Sequence, residues 1–323
     1  MSEIGNGTSK SQVIRDLPIA CANEQAAVEF LEGKRWGDRP CCAHCSSERV
    51  YKMLDAKSGE RNRRFLWRCH DCKKQYTVRV GTVLEESKAP LRHWCYALWR
   101  SCTSKKGASA LEISRQTGLS YKSALFLMHR IRFAMTDTGA IKLHGTIEAD
   151  ETYVGGRPRP GRIGDPPAPV GRGTKKTPVF AAIQRAGEVR ARVVPDVTAQ
   201  NLRAVMDEVV DKDRSRLMTD DFRSYRAIGR TFKGGHEWVK HSYGEYSRGD
   251  VHCNTAESFF SLVKRGMYGV YHNVSKKHLH RYVAEFEFRF NRRTMDDGER
   301  VVAAIVGSQG KRLLYREPIA KVQ

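Results

Sequence analysis

The chain has 323 residues, a length that accommodates two or three domains, and 40% of them are hydrophobic, enough for packed cores. Fifty-seven Lys and Arg against 36 Asp and Glu give a formal net charge of +21. A charge of this size attracts polyanions, so nucleic acid is the first expected partner, with a merely basic or ribosome-associated protein as the plain alternative. No apolar run reaches the roughly 18 residues of a membrane span, and the polar start MSEIGNGTSKSQ lacks a signal-peptide pattern, so a soluble, cytoplasmic protein is expected.

Residues 1–20 read as a flexible leader. NEQAAVEFLE (23–32) follows with helical spacing, carrying Ala26, Ala27, Phe30 and Leu31 on one side. Next come two Cys-x-x-Cys pairs, Cys42/Cys45 and Cys69/Cys72, with 23 residues between them. A two-residue spacer lets both thiolates of a pair reach one tetrahedral metal, and two pairs close a four-thiolate site with no open position. One structural Zn2+ is therefore expected, in a ribbon with strand-like runs such as RFLWRC and QYTVRV. Cys41 could compete with Cys42 but has the poorer spacing, and His44 and His70 read as bystanders. Arg61, Arg63, Arg64, Arg68, Lys73, Lys74 and Arg79 crowd around the ribbon, which fits phosphate contact.

Residues 107–134 resemble a helix-turn-helix. A helix over 108–117 stops at Gly118, and Ser120 is placed to cap a second helix. Ala124, Leu125, Met128 and Ile131 recur at inward spacing, leaving Tyr121, Lys122 and Arg130 for DNA. The plain alternative is a helical hairpin that only connects domains.

From about residue 145 the pattern turns to strands. GTIEADETYVG, PVFAAIQRAG and VRARVVPDV read as strands, with Gly187 marking a hairpin turn between the last two. The segment 157–176, rich in Pro, Gly and Arg, reads as a long loop between the first two. A helix capped by Thr198, a strand SRLMTDD, a strand HEWVKHS and C-terminal helices follow.

Three acidic positions stand out. Asp150 ends TIEAD just before Glu151, Asp220 ends RLMTD just before Asp221, and Glu257 opens a helix in HCNTAESFFSLVKRG. Glu257, Ser261 and Lys264 share one helical face at i, i+4 and i+7, opposite Phe259, Phe260, Leu262, Val263 and Met267. Carboxylates from two strands and one helix can converge on hard divalent cations, as two-metal phosphodiester chemistry requires. Taken singly, each is more often a solvated turn residue or a cap. His241 and Asn254 lie just upstream of Glu257 and could orient DNA or a metal-bound water, or serve as ordinary polar residues near a strand end. In HLHRYVAEFEFRFNRR, Tyr282, Phe286 and Phe290 form a core stripe, while His280, Arg281, Arg289, Arg292 and Arg293 are available for phosphate contact.

IEADETYVGG, LMTDDFRSY and HCNTAESFFSLVKRGMYGVYHNVSKKHLHRYVAEFEFRFNRR resemble the three blocks of ISXO-like insertion-sequence transposases, over roughly residues 20–315. The resemblance implies an α/β ribonuclease H-like catalytic core, a mixed five-stranded sheet with helices, preceded by a zinc ribbon and a helix-turn-helix-like segment. It implies a DDE triad of Asp150, Asp220 and Glu257 holding two Mg2+ (or Mn2+), which cuts transposon-end DNA by hydrolysis and joins the freed 3′-OH to target DNA. Lys264, with Arg265 beside it, would hold end DNA. Asp221 departs from the group's usual Gly or Glu at that position and leaves it open as a substitute ligand for Asp220. The expected partners are double-stranded DNA, as terminal inverted repeats and target, and a second copy of the chain in a homodimer or larger assembly at the nucleoid. The expected organisation is a leader and helix (1–35), zinc ribbon (36–82), helical DNA-binding segment (88–140), catalytic domain (141–300) and tail (301–323). Two other readings remain: a DNA-binding regulator descended from an inactivated transposase, and another nuclease of the same fold such as a junction resolvase.

Overall fold

The computed structural model describes residues 12–137, 141–156, 174–240, 243–245 and 247–314. His241 and positions 157–173 of the Pro/Gly/Arg-rich segment lie outside them. Described residues up to 136, together with 292–314, form one compact unit, and 137–291 form a second.

In the first unit, residues expected as a leader are helical from Gln12, because Val13, Leu17 and Ala20 recur at helical spacing and are buried: helix α1 (Gln12–Ala22) packs on α2 (Glu24–Trp36), whose first turn is capped by the Asn23 side chain accepting from the Ala26 N–H. A three-stranded antiparallel ribbon follows: β1 (Val50–Lys52), β2 (Trp67–Cys69) and β3 (Gln75–Tyr76), in that order. Trp36, Trp67 and Tyr76 pack edge to face around its small core. Buried Glu32 reaches from α2 to accept from the Trp67 indole at 2.7 Å and from Arg61.

Three helices come next: α3 (Leu91–Thr103), α4 (Ala110–Thr117) and α5 (Tyr121–Ala134). Gly118 ends α4 at φ 72°, a left-handed conformation that glycine adopts without Cβ strain. Ser120 caps α5 as the sequence predicts, accepting from the Ser123 N–H. Ala124, Leu127, Met128 and Ile131 are buried, so the inward face includes Leu127, with Leu125 only half-buried. Helix α10 (Asp297–Val306), opened by a capping box between Asp296 and Glu299, packs on α3 and α2.

The second unit is built on a sheet of β4 (Leu143–Val154), β5 (Thr177–Gln184), β6 (Val189–Val193), β7 (Val210–Asp220) and β8 (His236–Val239), ordered β6-β5-β4-β7-β8. The β4–β5 and β5–β6 pairs are antiparallel; β4–β7 and β7–β8 are parallel. The β5–β6 hairpin turns through Gly187, as expected. Helices α6 (Ala199–Val209) and α7 (Ser224–Gly229) cover one face, with Ile147, Ala149, Leu202, Met206, Leu217 and Tyr225 in that core. Helices α8 (Asn254–Gly266) and α9 (Leu279–Asn291) cover the other, with Val179, Met218, Phe259, Val263, Val283 and Phe286. An antiparallel hairpin joined to parallel strands, with helices on both faces, is the ribonuclease H-like arrangement.

The sheet departs from the sequence reading in one place that matters. Asp150 does not end its strand: β4 runs four residues further, to Val154, paired with β5 throughout. It is the β7 side of β4 that ends early, at Glu148–Met218.

Candidate active site and zinc ribbon

Two residues beyond that last parallel pair, β4 carries Asp150 and β7 carries Asp220. Strand side chains alternate between faces. Asp150 therefore shares the face of Glu148, and Asp220 that of Met218, which packs in the α8–α9 core. Glu257 lies in the first turn of α8, the helix packed on β4 and β5 from this side. Phe259, Phe260 and Val263 are buried against the sheet, while Glu257, Ser261 and Lys264 stay exposed on the opposite stripe, as the wheel predicts.

The acids sense one another. The Asp150 carboxyl is raised from the ordinary aspartate value to about 7. Burial is the largest cause, followed by the charge of Glu151, with Asp220 and Glu257 adding to it against a stabilising hydrogen bond from the Glu151 N–H. Asp220, half-buried at the end of β7, accepts from the Phe222 N–H at 3.1 Å. Asn254 is exposed at the start of α8.

Two acidic neighbours were missed in the sequence. Glu151 points to the other face and accepts from the buried Tyr225 hydroxyl at 2.8 Å. Glu148 is fully buried and accepts from the Thr255 and Ala256 N–H groups at 2.8 and 3.2 Å, and from the Thr255 hydroxyl and the Arg185 Nε. The signal was present: in IEADE, alternation puts a Glu and an Asp on one buried face, and a buried carboxylate demands partners.

In the ribbon, the sulfurs of Cys42, Cys45, Cys69 and Cys72 all lie within 4.8 Å of one another. Cys42–Cys72 and Cys45–Cys69 are 3.6 and 3.7 Å apart. A tetrahedron with about 2.3 Å metal–sulfur bonds has edges of about 3.8 Å, so the four thiols fit zinc. The His44 and Asp71 N–H groups donate to Cys42 and Cys69, the backbone support a thiolate needs. Cys41 is not part of the set; its carbonyl accepts from the Tyr76 hydroxyl. His44 meets Tyr76 edge to face and His70 lies tilted against Tyr51, and neither belongs to the thiol set. Among the described residues, no three carboxylates gather as closely as these thiols.

The residues expected to meet DNA divide. Tyr121 and Lys122 are exposed at the start of α5, and Lys264 and Arg265 are exposed on α8. Arg281 and Arg292 are half-buried, and His280 and Arg293 are exposed. Arg130 and Arg289 must be corrected. Arg130 is 4% exposed; it donates to the carbonyls of Glu85 and Leu313 and stacks on Phe126, pinning its own unit. Arg289 is buried and bound to Glu285, which also accepts from the Tyr271 hydroxyl. Both sit on helices buried around most of their girth, so a basic residue there faces protein rather than water.

Residues 142–291 match the ISXO2-like transposase domain, and 22–75 match the transposase zinc-ribbon domain. A Halobacterium salinarum relative, named as an uncharacterized protein in transposable element ISH50, is 31% identical over 285 residues, spanning 84% of this chain and 93% of its own length. Among solved structures, the Mos1 strand transfer complex overlaps at a TM-score of 0.29 with 15% identity, over 64% of this chain and 74% of that one. The pre-cleavage Mos1 transpososome overlaps at 0.26 with 13% identity, over 64% and 75%. These two scores are too low to carry an argument. The assignment rests on the two matched segments and the ISH50 relative: the chain belongs to the ISXO2-like transposase family and is an insertion-sequence transposase of the DDE class, an enzyme that works with a divalent metal and carries a zinc ribbon.

Proposed function

We propose that this transposase cuts double-stranded DNA at the terminal inverted repeats of its element and joins the freed 3′-OH to target DNA, with Asp150, Asp220 and Glu257 as the catalytic carboxylates. One observation carries the reading. The two aspartates stand at matching positions beyond the last parallel pair of adjacent strands, facing the helix that bears Glu257, and the charges of Asp220 and Glu257 both push the Asp150 carboxyl upward. Hard oxygen ligands that repel one another fit two Mg2+ or Mn2+ ions better than any other common cofactor. When bound, such ions polarise the phosphoryl oxygen, sharpen the attacking oxygen and stabilise the leaving one.

The chain's own residues do the rest. Asp150 is held on a strand hydrogen-bonded to β5 on one side, so its backbone is rigid while its β7 side is open toward Asp220. Glu257 approaches from a helix whose apolar side is buried in the sheet, which fixes its height over the strands. Exposed Lys264 and Arg265 lie two turns further along α8, on the side where a duplex backbone would run; phosphate contacts there set register without reading sequence. Tyr121 and Lys122 open the second helix of the helix-turn-helix-like pair and are the residues available for reading the end sequence. The four cysteines hold one structural zinc, stabilising a ribbon too small to fold on its core alone. Residues 36–82 and 88–140 serve as ribbon and end-reading segments, and the unit of 137–291 as the catalytic one, since 292–300, expected with it, belong to the first unit; the enzyme acts on DNA as a dimer or larger assembly, since two ends must be brought together, in the nucleoid. No observation favours the inactivated-regulator reading; the complete acidic set and Lys264 speak against decay.

The test is cleavage of duplexes carrying the element's terminal repeats, with Mg2+ or Mn2+. Wild-type protein should nick at the repeat boundary. Asp150→Ala, Asp220→Ala and Glu257→Ala should bind the same duplex and leave it intact. Normal cutting by all three variants would overturn the assignment.

A further inference from the structure

Helix α8 begins without a local cap. Its N-cap residue, Cys253, makes no side-chain capping bond. The unpaired N–H groups of a first helical turn need acceptors, normally a Ser, Thr, Asp or Asn at the cap itself. Here the acceptor comes from 107 residues away. One oxygen of Glu148 accepts from the Thr255 N–H at 2.8 Å and the Ala256 N–H at 3.2 Å; the other accepts from the Thr255 hydroxyl at 3.0 Å. Arg185, just past β5, closes the assembly: its Nε donates to Glu148 at 2.9 Å, and its terminal nitrogens donate to the carbonyls of Asp250 at 2.9 Å and His252 at 3.2 Å. His252 Nδ1 lies 3.5 Å from Glu148 and accepts from the Asn254 N–H.

The position of this brace gives it a purpose beyond stability. Glu148 is two residues before Asp150 on the same strand face, and its bonds fall on the two residues immediately before Glu257. A fully buried carboxylate is costly to keep unless every oxygen is satisfied, and a local Ser or Asp cap would have served the helix without that cost. What a local cap could not do is tie the helix to the strand bearing Asp150.

We infer that Glu148, clamped by Arg185, is a positioning residue that sets the height and angle of Glu257 over Asp150 by capping α8 from within the sheet. The inference rests on the proposed catalytic triad. Misplacing a reacting group by about 1 Å costs on the order of 100-fold in rate. Glu148→Ala should therefore lower the single-turnover cleavage rate on terminal-repeat duplexes about 100-fold, with duplex affinity within about threefold of wild type. Glu148→Gln keeps one acceptor for the helix N–H groups but turns an amide toward Arg185, and should recover about tenfold of that loss. Amide hydrogen exchange of 255–257 should quicken at least about tenfold in Glu148→Ala while the β5 amides stay protected.

Glu287→Gln serves as the matched control. Glu287 is another buried carboxylate of the same unit, bonded to the Ala191 N–H in the sheet, and its loss should lower Tm without slowing cleavage by the folded fraction. Should Glu148→Ala not fold, Glu148→Gln is read in the same assays, against wild type. The inference is overturned if the readable variant cuts within twofold of wild type, or if its loss only tracks the folded fraction as in the control. Asp150→Ala, run in parallel, separates the two claims. If it is inactive while Glu148 variants cut normally, the brace alone fails; if it cuts normally, the triad reading and the brace both fall.

Discussion

The two metal-binding regions of this chain are built on opposite plans. In the ribbon, four thiols from two short turns already lie within 4.8 Å of one another. In the second unit, the three carboxylates proposed for catalysis come from β4, β7 and α8, across more than a hundred residues, and gather less closely. Thiols can approach as neutral groups and lose protons on binding, so a closed site can form its own core. Carboxylates at neutral pH repel, and the cost is visible at Asp150, held near pKa 7 by burial and by its acidic neighbours. A site that must admit DNA cannot close; it has to be held open by a rigid scaffold instead. The ribbon's metal makes the fold, whereas in the second unit the fold makes the metal site.

That contrast can be broken most forcefully at the ribbon. Removing zinc with a chelator, or substituting Cys42→Ser, takes away most of the folding energy of a module held by about 10–16 kcal/mol of metal binding. Tryptophan fluorescence from Trp36 and Trp67 should report ribbon unfolding, while the α/β unit keeps its own cooperative melting transition. Joint loss of both units would erase the distinction.

The triad comes next. Alanine at Asp150, Asp220 or Glu257 should cost at least about 1,000-fold in cleavage rate, roughly 4 kcal/mol in the barrier, with thermal stability kept or raised. A variant that loses activity only through unfolding would make the acids structural, like the cysteines.

A smaller effect tests the rigidity of the scaffold. A Cβ at Gly229 would stand 2.2 Å from the His236 ring, so Gly229→Ala must push α7 off β8, next to the Asp220 strand. A loss of about 2–3 kcal/mol in urea unfolding is expected.

The smallest effect concerns pH. Asp150 has a folded-state value near 7 against 3.8 for the ordinary group, so between about pH 4 and 7 the folded chain holds more protons than the unfolded one. Stability contributed by this residue therefore falls as pH rises through that window, and the penalty is complete above pH 7. Asp150→Asn, in buffer without added divalent cation, should stabilise the second unit by about 2 kcal/mol at pH 8 and by almost nothing at pH 4, measured by thermal melts. Equal effects at both pH values would mean that neither burial nor the neighbouring acids strain the Asp150 carboxyl.

The cysteine set was legible because spacing alone limits which thiols can share a metal. The faces of the two aspartates and of Glu257 were legible because strand alternation and the helical wheel fix them, and the wheel for α8 matches its burial except at Leu262, which is only half-buried. Less could be read where tertiary partners decide. The pattern of TIEAD does not say that β4 continues to Val154 on one edge after its pairing with β7 stops. Arg130 and Arg289 sit in basic stretches, and only the carbonyls of Glu85 and Leu313 and the carboxylate of Glu285 reveal them as internal pins. Nothing local marks the partner of Glu148: the Thr255 N–H that donates to it lies 107 residues away, beyond any local pattern. Helix α10 follows the catalytic segment in sequence yet packs with α2 and α3, a return that periodicity cannot encode.

The most direct measurement is anomalous diffraction from crystals of the full chain soaked in MnCl2, collected on wild type and on Asp150→Asn. Anomalous density about 2.0–2.3 Å from carboxylate oxygens of Asp150, Asp220 and Glu257 in the wild type, lost or displaced in the variant, is the predicted result. Manganese bound away from these residues, with the three side chains left where they stand, would contradict the account.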